Sequence, residues 1–530
     1  MSFNLSKLWN RKSTPQSQPI PGTSQVANSA GGFTWAVDDW TRLDRFLVLG
    51  VEGGSFYAKE RALTRENALA VERCVAADGA RVVRRIVEIS DGGRAPKNDP
   101  AIFALAMAAK LGDPATRRDA LAAMPKVCRT GTHLMHFAAS IEAFGGWGRG
   151  TRSAVAGWYT GKSAGKLAYQ LVKYQSRDGW SNRDLLRLAH PKAGSPAHEA
   201  LFKWVVKGEL ALPAPEGLAL VEAFESAKRA TDVAEVVRLV REHGLPREAV
   251  PTQFLTDARV WEALLDKMPV TAMIRNLATM TRAGLLAPLG QATELVATRL
   301  ADRDLLKAAR LHPVAVLAAL LTYRSGSGVR GQHTWTPVAA LVDALDAAFY
   351  ATFMNVEPTG KRMLLALDVS GSMSGGVVAG VPGLTPRLAS AALALVTAAT
   401  EPKHAFVAFS DTLKELDISP RWRLDRVEKE ISNLPFSSTD CAQPMLWAKQ
   451  REIDVDTFVV YTDSETWAGG VHPSQALADY RKARNLASKS VVVGMVSNGF
   501  TIADPNDAGM LDVVGFDTAT PAVIADFARA

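Results

Sequence analysis

The chain has 530 residues, of which 47% are hydrophobic and 22% are charged, and its formal net charge is +7. This length exceeds that of one ordinary domain, so we expect two or three domains. The composition is typical of a soluble globular protein, and no uninterrupted apolar stretch reaches the roughly 20 residues of a membrane-spanning helix, which excludes helical membrane proteins.

The N-terminal segment, residues 1–27, is predicted to be a disordered tail. It is rich in serine, proline and glutamine, and it lacks the apolar core of a secretory signal. The three cysteines, Cys74, Cys128 and Cys441, are odd in number and far apart, which argues against a disulfide framework. The cysteine pattern and the lack of a secretory signal's apolar core favour a reducing compartment, so we expect a cytoplasmic protein without a membrane partner.

Residues 28–360 are predicted to form a domain of helical repeats, because short amphipathic segments follow one another from about residue 35 to residue 350. Residues 99–112 illustrate the pattern, with Asp99 before a first-turn proline and Gly112 at the end. One longer helical unit is expected at residues 153–173. Such helices favour stacked hairpins, as in solenoids, although no fixed repeat period is visible and an irregular helical domain is the alternative.

The positive charge belongs to this N-terminal part. Before residue 361 there are 45 lysines and arginines against 34 aspartates and glutamates, whereas from residue 361 onward there are 16 against 20. Cations neutralise phosphates and aromatic faces stack on unpaired bases, so residues 145–192 are a candidate nucleic-acid-binding segment. Tryptophans and tyrosines are interleaved there, and core positions are favoured for Trp158 and Trp180. The basic residues of the segment are Arg149, Arg152, Lys162, Lys166, Lys173, Arg177, Arg183, Arg187 and Lys192.

Residues 361–530 are predicted to form a doubly wound α/β domain. Apolar runs at residues 363–367, 404–409, 457–461 and 490–496 are typical of strands, and helical segments at 388–400, 424–433, 443–450 and 474–487 lie between or after them. Alternation of this kind predicts a mainly parallel sheet with helices on both faces.

A D-x-S-x-S motif follows the first of these strands, where Asp368, Ser370 and Ser372 come directly after the apolar run. Ligands of open parallel sheets sit outside the carboxyl ends of the strands. Two further polar loops, at residues 437–440 and 462–465, are expected at the same edge. Hard oxygen ligands of this kind suit Mg²⁺ or a similar divalent ion, so we expect a cation site there.

The whole chain from about residue 28 resembles the Ro autoantigen family, which joins a TROVE module to a von Willebrand factor A domain, and it is most similar to the bacterial members. The resemblance implies a metal-ion-dependent adhesion site formed by Asp368, Ser370, Ser372, Thr439 and Asp463. One departure is Ser437 and Ser438, where relatives often have paired glycines. The stretches that resemble family sequence include residues 146–149, 179–188, 357–362, 468–473 and 497–505.

The resemblance implies a ring of HEAT-like helical repeats that binds small noncoding Y RNA on its outer surface. The central hole would accept single-stranded 3′ ends of misfolded RNA, and a polynucleotide phosphorylase-type exoribonuclease would be a partner in RNA quality control. The family's RNA-contacting residues fall on Lys173, Arg177 and His190. Arg149, Arg187 and Lys192 complete the candidate RNA-binding set, because they belong to the basic segment.

Two other hypotheses compete with that of an RNA-binding protein without catalysis. An enzyme built on Asp368 is disfavoured, because the sequence has no nucleophile elbow around Ser370, no second aspartate two residues after Asp368 and no Walker motif. A metal-dependent protein-adhesion scaffold, in which the cation binds a carboxylate of another protein, is compatible with the motif and stays open as the alternative.

Overall fold

The computed structural model describes residues 13–49, 68–92, 98–210, 215–309, 311–328, 333–356, 358–378, 381–434, 438–495, 500–514 and 520–529. They fall into two compact units. Residues 13–45 and 358–529 contribute to an α/β unit, and residues 46–49 and 68–355 contribute to a helical unit. Among the described residues, no helix has both the length and the apolar character that a membrane crossing requires.

The N-terminal segment belongs to the α/β unit. It contains the strands β1 (Gln25–Ala27) and β2 (Phe33–Ala36), followed by the helix α1 (Asp39–Leu49). The prediction of a disordered tail is therefore wrong for residues 13–27, and residues 1–12 lie outside the described part of the chain. Residues 28–45, which were predicted to begin the helical domain, also belong to the α/β unit. The reason is long-range pairing: the fully buried side chain of Gln16 and the buried side chain of Asn28 bond to loops more than 400 residues away.

The helical unit is a succession of helices, and consecutive helices pack against each other. Examples are the helices at residues 69–91 and 99–111 and those at residues 313–324 and 339–351. A short hairpin of two strands, β3 (Ser176–Arg177) and β4 (Trp180–Ser181), interrupts the helices. The helices are α2 (Leu69–Asp91), α3 (Asp99–Leu111), α4 (Pro114–Val127), α5 (Gly131–Ala143), α6 (Arg149–Thr160), α7 (Ala164–Lys173), α8 (Asn182–Ala189), α9 (Pro196–Lys207), α10 (Ala219–Arg229), α11 (Val233–His243), α12 (Ala258–Asp266), α13 (Val270–Arg282), α14 (Gln291–Ala301), α15 (Arg303–Ala308), α16 (Pro313–Arg324) and α17 (Ala339–Ala351).

Local sequence explains where many of these helices begin and end. Asp113 caps α4 by accepting a hydrogen bond from the Thr116 amide at 2.7 Å, and Gly208 ends α9 in the left-handed conformation. The single helical unit predicted at residues 153–173 is wrong. Gly161 ends α6 and Ser163 precedes α7, so the chain turns within the basic segment.

The α/β unit is built on a six-stranded sheet of order β11-β9-β8-β5-β6-β7, in which only the edge strand β7 is antiparallel to its neighbour. A second sheet pairs β1 and β2 with β10. All residues of β5 and β8 are buried, as expected for apolar runs covered on both faces. The elements are β5 (Met363–Asp368), α18 (Pro386–Thr400), β6 (His404–Phe409), β7 (Leu413–Leu416), α19 (Leu424–Ser432), α20 (Gln443–Gln450), β8 (Thr457–Thr462), α21 (Pro473–Arg484), β9 (Lys489–Gly494), β10 (Phe500–Thr501), β11 (Met510–Val514) and α22 (Thr520–Arg529).

The predicted fold class, helical repeats followed by a doubly wound α/β domain, is confirmed. The four predicted strands of the α/β domain correspond to β5, β6, β8 and β9. The prediction missed the edge strands β7 and β11, the two-residue strand β10 and the helix α22. The strands β5 and β8 are parallel neighbours, so their carboxyl ends lie side by side, and the candidate cation site follows from this register.

Candidate cation site and RNA-binding surface

Asp368 is the last residue of β5, and its side chain is buried. One carboxylate oxygen, Oδ1, accepts a hydrogen bond from the backbone amide of Ser370 at 2.8 Å, and the other, Oδ2, accepts from the Thr462 hydroxyl at 2.7 Å. The hydroxyl oxygens of Ser370 and Ser372 are 3.2 Å apart. The D-x-S-x-S motif therefore forms a tight turn that gathers one carboxylate and two hydroxyls at the end of the strand.

Asp463 follows the last residue of β8 and is also buried. Its Oδ1 accepts from the Glu465 amide at 3.1 Å, and Ser464 between them has a positive φ of 63°. Left-handed backbone at a residue other than glycine is uncommon and is often found at functional sites. This bend ends β8 directly beside the turn that follows β5.

Thr439 lies on a third loop, between α19 and α20, and it is buried. Its carbonyl oxygen accepts from the backbone amides of Trp467 at 3.0 Å and Ala468 at 3.1 Å. The amide of Asp440 donates to the carbonyl of Ser410, at the end of β6, at 2.8 Å. These bonds hold the Thr439 loop against the loop that carries Asp463 and against the sheet edge.

The Asp368 carboxyl is buried and is influenced by the negative charge of Asp463. Burial raises the pKa of Asp368, and the negative charge of Asp463 raises it further, although hydrogen bonds from Ser370 and Thr462 work in the opposite direction. Two buried carboxylates that repel each other, with hydroxyls beside them, are the donor set that a hard divalent cation stabilises. The residues present therefore fit Mg²⁺. Asp368, Ser370, Ser372, Thr439 and Asp463 would hold the ion, which would leave room for water or a partner's oxygen.

The candidate RNA-binding surface is organised by the hairpin of β3 and β4. Its two-residue turn consists of Asp178 at φ 51° and Gly179 at φ 78°, the conformation that Asp-Gly hairpins favour. The Asp178 carboxylate accepts a hydrogen bond from Nδ1 of His136 on α5, which fixes the turn to the helix behind it. Arg177 is directly opposite Trp180 in the hairpin, and Arg177 is exposed.

Lys173 is half-buried at the end of α7, between two tyrosines. Its ammonium nitrogen lies 5.5 Å from the ring centroids of both Tyr169 and Tyr174, and it donates to the Tyr169 hydroxyl at 3.3 Å. Although burial lowers the pKa of Lys173, Tyr174, Tyr169 and Glu248 together raise it above the ordinary value. Lys173 is therefore a fixed positive charge beside an exposed aromatic ring.

The remaining predicted RNA-binding residues are all exposed. Arg149 begins α6, Arg187 is in the last turn of α8, His190 ends α8 in the left-handed conformation, and Lys192 follows it. Trp147, two residues before Arg149, packs on Trp180 with 5.4 Å between ring centroids, which brings the start of α6 to the hairpin. Among the described residues, Lys192 forms no hydrogen bond or ion pair with the hairpin.

The aromatic residues divide between core and surface. Trp158 is buried, and its indole nitrogen donates to the Cys128 carbonyl at 2.5 Å, which agrees with the predicted core position. Trp180 is half-buried against Trp147. The sequence reasoning missed Tyr169, which is 39% exposed beside Lys173. The spacing of Tyr169 and Lys173, four residues apart on one helix face, could have revealed the pair.

Comparisons with known proteins identify both units. Residues 26–322 match the family model described as the TROVE domain, and residues 362–528 match the Ro60 vWA domain model. The chain is 46% identical over 528 residues to the RNA-binding protein RO60 of Deinococcus radiodurans, covering 99% of both chains. It is 36% identical over 594 residues to the RNA-binding protein RO60 of Caenorhabditis elegans, covering 97% of this chain and 92% of the relative. The crystal structure of the Deinococcus radiodurans RO (RSR) protein matches with a TM-score of 0.77 at 47% identity, covering 93% of this chain and 99% of that one.

Proposed function

Because the chain belongs to the Ro60 family of RNA-binding proteins, we propose that it forms a ribonucleoprotein with a small noncoding Y RNA and also binds single-stranded 3′ ends of misfolded RNA. The observation that carries the proposal is the pair formed by the Lys173 ammonium group and the exposed Tyr169 ring, with the exposed Arg177 four residues further along the chain. We propose that His190, Arg149, Arg187 and Lys192, whose side chains are also exposed, make further contacts with the RNA.

The chemistry of this surface suits a folded RNA with unpaired segments. Lysine and arginine neutralise phosphates without reading sequence, and a tyrosine face stacks on any base. Recognition of a particular RNA would then come from its shape and its single-stranded loops, as for many RNA-binding proteins. The protein would act without cutting RNA itself, and its named relatives are RNA-binding proteins.

A polynucleotide phosphorylase-type exoribonuclease is the partner that we propose for RNA quality control and degradation, on the basis of the family resemblance. The protein would present a single-stranded 3′ end, and the exoribonuclease would remove nucleotides from it. The cytoplasm is the proposed compartment, since Cys74, Cys128 and Cys441 are buried and none of them is in a disulfide, as suits a reducing environment.

The cation site is proposed to bind Mg²⁺ through Asp368, Ser370, Ser372, Thr439 and Asp463. A second candidate function, metal-dependent protein adhesion, is favoured by two apolar side chains near these loops. Trp467 is 43% exposed and its amide bonds to Thr439, and Val377, a few residues after Ser372, is 56% exposed. A partner protein could cover both while a carboxylate of that partner completes the coordination of the ion.

The experiment that tests the main proposal is sequencing of the RNA that co-purifies with the protein from its own cells. Enrichment of one small structured noncoding RNA, together with fragments of longer transcripts that end in single strands, is the expected result. A variant in which Lys173 and Arg177 are both alanine is the control, and it should recover much less of the same RNA. Protein that carries no RNA, or the same bulk RNA in both forms, would reject the proposal.

A further inference from the structure

Gln16 connects the N-terminal segment to the two loops that carry Thr439 and Asp463. Its side chain is fully buried. The amide nitrogen Nε2 donates to Asp440 Oδ1 at 2.6 Å and to the Val471 carbonyl at 2.8 Å, and the amide oxygen accepts from the Thr466 hydroxyl. A glutamine side chain has one amide nitrogen that donates and one oxygen that accepts hydrogen bonds. Both atoms of Gln16 form hydrogen bonds in the protein interior.

The partners of Gln16 are neighbours of candidate cation ligands. Asp440 directly follows Thr439, and Thr466 is three residues after Asp463. The Thr466 hydroxyl also accepts from the Cys441 amide at 3.0 Å, so Gln16 and Thr466 together join the two loops. Asp440 accepts two further bonds, from the Ala442 amide at 3.0 Å and from the Gln443 side chain at 2.7 Å.

Other hydrogen bonds of the N-terminal segment reach the loop of residues 463–471 as well. The Gln16 amide donates to the Gly469 carbonyl at 2.9 Å, and Asn28 donates through Nδ2 to the Thr466 carbonyl at 2.7 Å. A Cβ added at Gly469 would lie 2.3 Å from both Asp440 Oδ1 and Gln16 Nε2, so only glycine permits this approach. A Cβ at Gly32 would lie 2.0 Å from the Thr466 carbonyl oxygen. The segment is therefore packed closely against the loop of residues 463–471.

We propose that Gln16 is a positioning residue of the cation site, which sets the separation of Thr439 and Asp463 by bonding to the neighbours of both. The proposal rests on the proposed cation site and deepens it. Outer partners that orient metal ligands raise affinity 10- to 100-fold in other proteins, because a ligand held in place loses less freedom when the ion binds. The remaining candidate ligands, on the turn after β5, are held instead by Thr462 and by Arg387, which donates to the carbonyls of Val369 and Ser370.

The test is isothermal titration calorimetry of the full-length, metal-free protein with MgCl₂. Gln16→Leu keeps the approximate side-chain shape and removes all hydrogen bonds of the side-chain amide. We expect its Kd for Mg²⁺ to rise about 10- to 100-fold. Gln25→Leu is the matched control, because Gln25 lies on the same segment but bonds to His472 and Ile20 instead. It should bind Mg²⁺ like the unaltered chain. Gln16→Glu, which cannot donate to Asp440, is the second variant if Gln16→Leu does not fold, and it should also weaken binding.

The outcomes separate the two proposals. If the unaltered chain binds Mg²⁺ and Gln16→Leu binds with the same Kd, the positioning role is rejected while the cation site stands. A lower unfolding temperature of metal-free Gln16→Leu with an unchanged Kd would lead to the same rejection, because it would show a purely structural role. If the unaltered chain binds no Mg²⁺, or if Asp368→Asn binds it equally well, the cation site itself is rejected and the role of Gln16 with it.

Discussion

Arg45, near the start of the chain, forms a buried ion pair with Asp512, near its end, with 2.7 Å between the guanidinium Nη2 and the carboxylate Oδ2. The two side chains are only 3% and 8% exposed. The Thr501 hydroxyl donates to the second carboxylate oxygen at 2.7 Å, and Arg45 also donates to the Phe500 carbonyl at 3.3 Å. The pair therefore joins α1 to β10 and β11 within the α/β unit.

Replacement of Arg45 by alanine should destabilise the α/β unit by about 3 to 5 kcal/mol, because a buried carboxylate would lose its partner. Differential scanning calorimetry would measure the change in the transition of this unit. Arg238→Ala is the control, since its ion pair with Glu242 is about half exposed on both sides and should contribute about 0.5 kcal/mol or less. Similar small losses in both variants would contradict the prediction.

Asp368→Asn should abolish stabilisation of the protein by Mg²⁺. In the unaltered chain, Mg²⁺ at 100 times its Kd should raise the free energy of unfolding by about 2.7 kcal/mol, because only the folded state offers the site. The metal-free variant should be at least as stable near pH 8, since asparagine removes a negative charge that is disfavoured by burial and by repulsion from Asp463, the two causes that raise the pKa of Asp368. Thermal unfolding with and without Mg²⁺ measures both effects.

The same variant should bind RNA with unchanged affinity, because the predicted RNA-binding residues lie in the helical unit. Asp425→Asn, at a side chain that is 78% exposed, is the matched control and should change neither property. Loss of RNA binding in folded Asp368→Asn protein would show that the two functions are coupled.

Joint replacement of Lys173 and Arg177 by alanine should weaken RNA binding and make it less dependent on salt. Each phosphate contact contributes about 0.7 to 0.9 to the slope of log K against log salt concentration, so the slope should fall by about 1.4 to 1.8. Filter-binding titrations at several salt concentrations measure it. Joint replacement of the exposed Arg303 and Lys307 on α15 is the control. If it lowers the slope of log K against log salt concentration equally, the RNA is attracted to positive charge in general and not to Lys173 and Arg177 in particular.

Tyr169→Ala should weaken RNA binding by about 1 to 3 kcal/mol, because the stacking of a base on the ring would be lost. The slope of log K against log salt concentration should not change, because every phosphate contact would remain. Tyr169→Phe keeps the ring and should bind almost normally. The two readouts thus distinguish Tyr169 from Lys173 in the same assay. An unchanged affinity of Tyr169→Ala would show that the exposed ring does not contact RNA.

The stability of the helical unit should fall as the pH is lowered from about 6.5 to about 4. Burial lowers the pKa of His312 to about 4, whereas an unfolded histidine titrates near 6.5. Between these values the unfolded chain binds the extra proton, so acid favours unfolding by up to about 3 kcal/mol. Folded His312 is neutral and caps α16, its Nδ1 accepting from the Val314 amide at 3.2 Å.

His312→Asn keeps a capping acceptor and removes the titrating group. Urea unfolding at pH 7 and pH 5 should therefore show a smaller loss of stability in this variant than in the unaltered chain. Equal losses in the two proteins would mean that His312 does not contribute to the acid sensitivity.

The amino-acid pattern predicted that two carboxylates of the candidate cation site lie at the ends of neighbouring strands. Asp368 and Asp463 each follow a short apolar run, and parallel strands place their carboxyl ends together whatever the loops do. The hairpin at Asp178 and Gly179 was not predicted, although an Asp-Gly pair suits a two-residue turn. The break between α6 and α7 was missed, because one glycine at position 161 does not by itself show whether a helix ends or continues.

The sequence alone determined the two-part fold and indicated the residues of both candidate sites, because apolar periodicity, helix caps and turn residues act over a few neighbouring positions. Only the tertiary structure decided that the N-terminal segment belongs to the α/β unit, that Gln16 bonds to Asp440 across 424 positions, and that Arg45 pairs with Asp512 across 467. A buried polar group must find a partner, but nothing in its neighbouring residues says how far along the chain that partner lies.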